Sequence, residues 1–160
     1  MTHHGPDDDL IPLGLDVGTR RIGVAVSDPT GAYAMPLETI EARPHDAALA
    51  RVAELVAARG VGVLVVGWPV ELDGAEGRAC ARTDRWLEHA LNHLAAQGLA
   101  DVQVVRWDER LTSSSAEATL IGLDVSRARR KEVVDQVAAT HILEGYLRRR
   151  AYSRGRGGQG

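Results

Sequence analysis

Three acidic residues occupy positions where a carboxylate could bind a ligand or where burying its charge would be energetically unfavourable. Asp16 closes the apolar run LIPLGLDV immediately before Gly18, and Glu109 follows the apolar run VQVVRW. Acids at the carboxyl ends of strands in an open α/β sheet project into the crevice where ligands bind. Asp135 interrupts the apolar helical pattern VVDQVAA, where an uncompensated charge would be expensive. We therefore predict that the three carboxylates meet in one crevice.

Three carboxylates in one crevice indicate a metal site of a particular kind. Hard oxygen donors suit Mg²⁺ or Mn²⁺, whereas zinc would favour His and Cys ligands. Two such ions can cleave a phosphodiester bond, because one activates water and the other stabilises the leaving oxygen. Asp16, Glu109 and Asp135 are thus the predicted catalytic residues and metal ligands.

Asp108 is a possible additional acid at the same strand end. Side chains alternate across a strand, so only one of Asp108 and Glu109 can face the crevice. We choose Glu109, which shares a strand face with Val105 and Trp107. The alternative for Asp108 is a surface ion pair with a neighbouring arginine.

The other two acids also have structural alternatives. Asp16 could simply hydrogen-bond its own turn, and Asp135 could pair with Lys131 one helical turn earlier.

Hydrophobic periodicity predicts the elements that would position these acids. Three apolar runs with short links indicate an antiparallel meander, and helical spacing alternates with apolar runs from there on. The predicted strands cover residues 10–17, 22–28, 36–41, 61–67 and 102–107, and the predicted helices cover 46–59, 75–97, about 112–121 and 129–150. This order predicts an α/β, ribonuclease H-like fold: a five-stranded mixed sheet, three strands antiparallel and then parallel ones, flanked by helices.

The bulk composition bounds the class of protein. A chain of 160 residues with 44% hydrophobic composition is long enough for one core, so we predict a single domain over residues 10–150. Residues 1–9 are expected to be flexible and residues 151–160 to form a disordered Gly and Arg tail. Cys80 is the only cysteine, and no export signal or long apolar stretch is present. The expected location is the cytoplasm, without a membrane partner.

Net charge is only −3, but the charge is unevenly distributed. Residues 127–156 hold nine of the 19 Lys and Arg residues against three acids, which makes this segment +6 and the remainder −9. Such asymmetry is typical of a phosphate-binding face, although a solvated helix would also produce it. The predicted nucleic-acid contacts in this segment are Arg130, Lys131, Arg148 and Arg149. His89 and His93 have no nearby acid of the zinc-protease kind and are interpreted as a polar helix face.

Four motifs together resemble those of the YqgF/RuvX family of pre-16S rRNA nucleases and Holliday junction resolvases. They are LDVGTRRIGVAVSD at 15–28, VVGWPVELDGAEG at 65–77, WDERLTS at 107–113 and RRKEVVDQVAATHILEGYL at 129–147. The resemblance covers about residues 11–150 and implies a ribonuclease H-like fold with metal-dependent nuclease chemistry. It implies acidic site positions at Asp16, the Asp108–Glu109 pair and Asp135, with Arg20 or Arg21 and Thr112 beside them.

The main functional prediction is a divalent-metal-dependent nuclease acting on RNA, specifically at the 5′ end of pre-16S rRNA. One alternative is a Holliday junction resolvase, which needs two active sites and therefore a stable dimer. Another is a non-catalytic RNA-binding factor in transcription or ribosome assembly, although retention of all three acids argues against it. The expected partner is nucleic acid, RNA rather than DNA, and the expected state is a monomer or weak homodimer.

Overall fold

The computed structural model describes residues 9–111 and 127–157. Five strands form one sheet in the order β3-β2-β1-β4-β5. The first three strands pair antiparallel, whereas β4 and β5 run parallel to β1. Their bounds are Ile11–Val17 (β1), Arg21–Ser27 (β2), Ala34–Glu41 (β3), Val61–Trp68 (β4) and Gln103–Asp108 (β5). The predicted ribonuclease H-like arrangement of strands is confirmed.

Helices cover both faces of the sheet. They are His45–Arg59 (α1), Arg78–Ala96 (α2) and Arg127–Gly157 (α3), and a short 3-10 turn, Glu109–Leu111, follows β5. One apolar cluster lies between the sheet and α1 with α2, and a second lies between the sheet and α3. Covering both faces explains why the central strands β1 and β4 are apolar without alternation.

The structure corrects one predicted boundary at the carboxyl-terminal side. Helix α3 continues to Gly157 rather than ending at residue 150, so residues 151–157 are helical and not a structureless tail. Arg154 in this extension lies 3.5 Å from the Asp9 carboxylate, an exposed contact with the residues that precede β1. The helix predicted at about 112–121 lies outside the described residues.

Within the described residues, no helix combines the length and the apolar character needed to cross a membrane.

Candidate active site

Asp16 and Glu109 lie side by side at the carboxyl-terminal edge of the sheet. Asp16 is the second-last residue of β1, and Glu109 opens the 3-10 turn directly after β5. The two carboxyl groups lie within hydrogen-bonding distance of each other. Strand β4 lies between β1 and β5, so Glu109 must reach across one strand. The crevice prediction thus holds for these two acids.

The environment of Asp16 favours its neutral form. Burial of the carboxyl group, the negative charge of Glu109 and the hydrogen bond to Glu109 together raise the pKa of Asp16 to about 7. Each of these causes penalises a second negative charge at this place. A bound cation would offset this penalty and favour the charged form of Asp16.

Asp135 approaches the same edge from helix α3. Burial and the negative charge of Asp16 raise the pKa of Asp135 to about 6, while the positive charge of Arg21 opposes the rise. The neighbouring charges that shift the pKa of Asp135 are therefore those of Asp16 and Arg21. The side chain of Lys131, its alternative partner, lies outside the described residues. We call Asp16, Glu109 and Asp135 the acid cluster.

A glycine in β2 permits the close approach of Asp135. Gly23 is the register partner of Asp16 in the β1–β2 hairpin. A Cβ atom at Gly23 would overlap the backbone carbonyl oxygen of Asp135. Any larger residue would push α3 away from β2, and with it the third acid. Sequence reasoning missed this residue, whose only signal is a glycine inside an otherwise apolar strand.

A second glycine, in β4, permits the close approach of the Glu109 side chain. A Cβ atom at Gly67 would lie 2.6 Å from Oε1 of Glu109 and 2.6 Å from Cδ1 of Ile142 in α3. The missing side chain leaves room for the Glu109 carboxylate to cross β4 toward Asp16.

Asp108 takes a different role from Glu109. Its carboxylate accepts hydrogen bonds from the Arg110 guanidinium at 2.7 Å and 3.1 Å and from the Arg110 backbone N–H at 2.9 Å. These bonds hold the pKa of Asp108 below its usual value. The reason given for choosing Glu109, strand alternation, is wrong, because β5 ends at Asp108 and Glu109 already lies in the 3-10 turn.

The donor chemistry of the acid cluster fits Mg²⁺ or Mn²⁺, since it offers carboxylate oxygens in a part of the molecule that disfavours free negative charge. As the side chains stand, however, no three His, Cys, Asp or Glu residues in the described ranges 9–111 and 127–157 are arranged to hold one ion. Asp16 and Glu109 are in contact, and Asp135 acts on Asp16 through charge. Coordination of one ion by all three would require their side chains to rearrange.

A cleft of about 730 Å³ opens beside Asp16 and Glu109. Its other walls come from the start of α1 and from one face of α2, and its lining includes three arginines and two histidines. These residues are Arg43, His45, Arg82, Arg85 and His89. Sequence reasoning missed them, although Ala79, Arg82, Thr83 and Trp86 follow the spacing of one helical face. His89, interpreted as part of a polar helix face, is exposed on α2 and contacts His45, with Nδ1 of His89 and Nε2 of His45 3.0 Å apart.

The predicted nucleic-acid contacts do not form one surface. Arg20 is exposed, and Arg21 is half-buried near Asp135. Arg148 and Arg149 are also exposed, but they follow Asp135 by 13 and 14 residues along α3. At 1.5 Å per residue they lie about 20 Å from it, toward the opposite end of the sheet. Thr112 and the side chains of Arg130 and Lys131 lie outside the described residues.

Comparison with known proteins identifies the family. The sequence model of the RuvX family, described as Holliday junction resolvase, matches residues 11–149. The chain belongs to the RuvX family. The match spans all five strands and includes every member of the acid cluster.

Relatives of substantial identity cover most of the chain. A protein of Chloroflexus aggregans is 47% identical over 135 residues, which are 84% of this chain and 91% of the relative. A protein of Moorella thermoacetica is 45% identical over 137 residues, which are 86% of this chain and 94% of the relative. Both relatives carry the name "Putative pre-16S rRNA nuclease".

A solved structure supports the fold of this RuvX family member. RuvC of T. thermophilus, in complex with Holliday junction substrate, superimposes with a TM-score of 0.51 at 19% sequence identity. The superposition covers 88% of this chain and 95% of the RuvC chain. At that identity the likeness shows a shared fold.

Proposed function

We propose that this chain is a divalent-metal-dependent nuclease that cuts phosphodiester bonds in RNA, with pre-16S rRNA as its substrate. The observation that carries the proposal is the acid cluster. Asp16 lies in hydrogen-bond contact with Glu109 and has its pKa raised to about 7, and Asp135 adds a third carboxyl group whose pKa is raised to about 6 by burial and by the charge of Asp16. Family membership and the names of the relatives support nuclease chemistry and the RNA substrate. The proposed substrate places the activity in the cytoplasm.

The proposed metal ligands are Asp16, Glu109 and Asp135, with Mg²⁺ or Mn²⁺ as the ion. When bound, the ions would supply an activated water and would stabilise the leaving oxygen. The chain itself supplies three carboxyl groups, of which Asp16 and Glu109 are in contact and Asp135 is near enough to interact with Asp16 through its charge. Gly23 and Gly67 make this possible, because each leaves the space that a neighbouring group of the site fills.

Other residues of the site have supporting roles in this proposal. The half-buried Arg21 offsets part of the negative charge near Asp135. The Nε atom of Arg21 is buried and has no hydrogen-bond partner among the described residues. Arg110 holds Asp108 by several hydrogen bonds, which keeps that carboxylate away from the cluster. Asp108 is therefore proposed as a positioning residue of the turn that carries Glu109.

A substrate panel tests the proposal. The wild-type chain is incubated with labelled single-stranded RNA, single-stranded DNA and a four-way DNA junction, each with Mg²⁺, Mn²⁺ or chelator. We expect cleavage of RNA with either ion and none with chelator. Cleavage that persists undiminished in chelator would contradict the metal dependence. Failure to cut any substrate with either ion would contradict the nuclease proposal.

A second candidate is a resolvase that acts on four-way DNA junctions, and the description of the RuvX family favours it. Symmetric cutting of a junction needs two active sites, so this candidate requires a dimer. Light scattering at the concentration used for cleavage separates the two candidates. A dimer that cuts the junction in preference to RNA would replace the RNA proposal, and a monomer would exclude symmetric junction cutting.

A further inference from the structure

We infer that the cleft beside the acid cluster is a binding site for single-stranded nucleic acid, in which Arg43, Arg82 and Arg85 contact successive phosphates. This inference rests on the proposed nuclease function and adds the path of the substrate strand. In this inference the strand does not follow Arg148 and Arg149, the exposed arginines toward the other end of α3 that the sequence predicted as nucleic-acid contacts.

The ion pairing of the arginines is the first argument. Arg51 pairs with Glu38 at 2.6 Å, Arg106 with Asp84 at 3.3 Å and Arg110 with Asp108 at 2.7 Å. In the part of the chain that the structure describes, Arg43, Arg82 and Arg85 form no ion pair or hydrogen bond. All three line the same cleft. Three uncompensated guanidinium groups in one concave site favour a ligand that carries several negative charges.

The position of the cleft is the second argument. Asp16 and Glu109 form one end of its lining, and the arginines come from the β3–α1 junction and from α2. A phosphodiester strand that rests on the arginines would therefore lead directly to the acid cluster. The contact between His45 and His89, 3.0 Å between ring nitrogens, ties α1 to α2 at the wall of this cleft.

The size of the cleft is the third argument, and it indicates a single strand. About 730 Å³ is the volume of a pocket for a small molecule or a few nucleotides. Proteins read an A-form duplex across wide, shallow surfaces and successive grooves, which this cleft does not offer. A flexible single strand can enter a local groove, with its phosphates on basic groups and a base against an aromatic residue. Trp86 also lines the cleft, but it is buried in the core, so the proposed contacts rest on the arginines.

The test is binding without catalysis. Fluorescence anisotropy of a short labelled single-stranded RNA is measured in chelator over a range of salt concentrations. The test variant carries Arg43→Gln, Arg82→Gln and Arg85→Gln. The control carries Arg51→Gln, Arg59→Gln and Arg106→Gln, which remove the same charge from exposed arginines outside the cleft. Circular dichroism and melting show whether both variants are folded.

We expect the cleft variant to bind at least 10-fold more weakly at low salt. Its log–log salt slope should fall by about 2, since each phosphate contact on a single strand contributes roughly 0.7. The control should keep the wild-type slope. An unchanged slope in the cleft variant, or an equal fall in the control, would overturn the inference, as would a preference of the wild-type protein for duplex RNA.

Failure of this inference is distinguishable from failure of the proposed function. Because binding is measured in chelator, it does not depend on cleavage. Binding that needs the cleft arginines in a protein that cuts nothing would retain the inference and reject the nuclease. Cleavage of RNA at wild-type rate by the cleft variant would reject the inference and retain the nuclease.

Discussion

The two ends of the β1–β2 hairpin each carry an aspartate, and the surroundings of the two aspartates shift their pKa values in opposite directions. Asp28, which follows β2, accepts hydrogen bonds from the backbone N–H groups of Thr30, Ala32 and Tyr33, and its pKa is lowered. Asp16, near the end of β1, is buried beside another carboxyl group, and its pKa is raised to about 7. Asp28 stabilises its own loop. The described residues around Asp16 disfavour its charged form, and such perturbed carboxyl groups are typical of functional sites.

Arginines at the two ends of the sheet differ in a similar way in their hydrogen-bond partners. At the Asp28 end of the sheet, Arg150 is buried and donates a hydrogen bond to the backbone oxygen of Leu10 at 2.8 Å, and its guanidinium lies over the ring of Tyr146. At the Asp16 end, the cleft arginines are exposed, and the described residues offer them no partner. Arg150 is therefore satisfied within the chain, whereas Arg43, Arg82 and Arg85 have no ion pair or hydrogen bond among the described residues.

The largest expected effect comes from Asp16→Asn. Losing a proposed metal ligand should reduce cleavage by more than the roughly 10–100-fold that loss of a supporting partner costs. The matched control is Asp28→Asn, which should retain cleavage and lower the melting temperature, because the amide has one acceptor oxygen in place of the two that the carboxylate offers to the loop. Cleavage rate with Mn²⁺ and melting temperature are measured for both variants. Full activity in Asp16→Asn would contradict the nuclease proposal, and equal loss in both variants would remove the contrast between the two ends.

The metal-free protein should lose stability as pH rises from about 4 to about 7. The folded-state pKa values of Asp16 and Asp135, about 7 and about 6, lie above the ordinary value of 3.8. The folded state therefore holds more protons than the unfolded state in this window, and unfolding becomes easier as they are lost. The change should be on the order of a few kcal/mol, since each pKa unit is worth about 1.4 kcal/mol.

Denaturant unfolding in chelator across that pH window checks this prediction. Asp16→Asn should flatten the profile, and Mg²⁺ should restore the stability of the wild-type protein above pH ~7. If the free energy of unfolding of the wild-type protein rose with pH, the pKa values of these carboxyl groups would not be raised in the folded state, and the prediction would be wrong.

The third prediction concerns Gly23→Ala. A Cβ atom there meets the Asp135 backbone oxygen, and overpacking of this kind costs about 1–3 kcal/mol. We expect lower stability and lower cleavage together, because α3 must move and takes Asp135 with it. The control is Ala138→Gly in α3, which should lower stability through helix propensity and leave cleavage at the level expected for its folded fraction. Melting and cleavage are compared for the two variants. Unaltered cleavage in Gly23→Ala would show that the position of Asp135 is unimportant.

Much of this architecture could be predicted from the sequence, because apolar runs and helical spacing report burial directly. The mixed sheet of antiparallel and then parallel strands and the approach of Asp16 to Glu109 followed from that logic. The roles of Gly23 and Gly67 could not be predicted, since a glycine does not say which distant atom fills its space. The cleft arginines were missed because charge density along the chain pointed to residues 127–156. Arg43 lies before α1, whereas Arg82 and Arg85 lie in α2, so these residues form no cluster of positive charge along the sequence.

The smallest expected effect separates two neighbouring arginines of α3. Arg150→Ala should destabilise the protein by about 1–3 kcal/mol, because it leaves the backbone oxygen of Leu10 without its charged donor. Arg148→Ala should cost less than about 0.5 kcal/mol, because its contact with Glu144 at 3.3 Å is an exposed pair one helical turn apart. Denaturant unfolding at one pH measures both variants. If Arg150→Ala were as mild as Arg148→Ala, the buried arginine would not anchor the amino end of β1. The contrast between compensated charge at that end and the disfavoured charge of Asp16 would then rest on Asp28 alone.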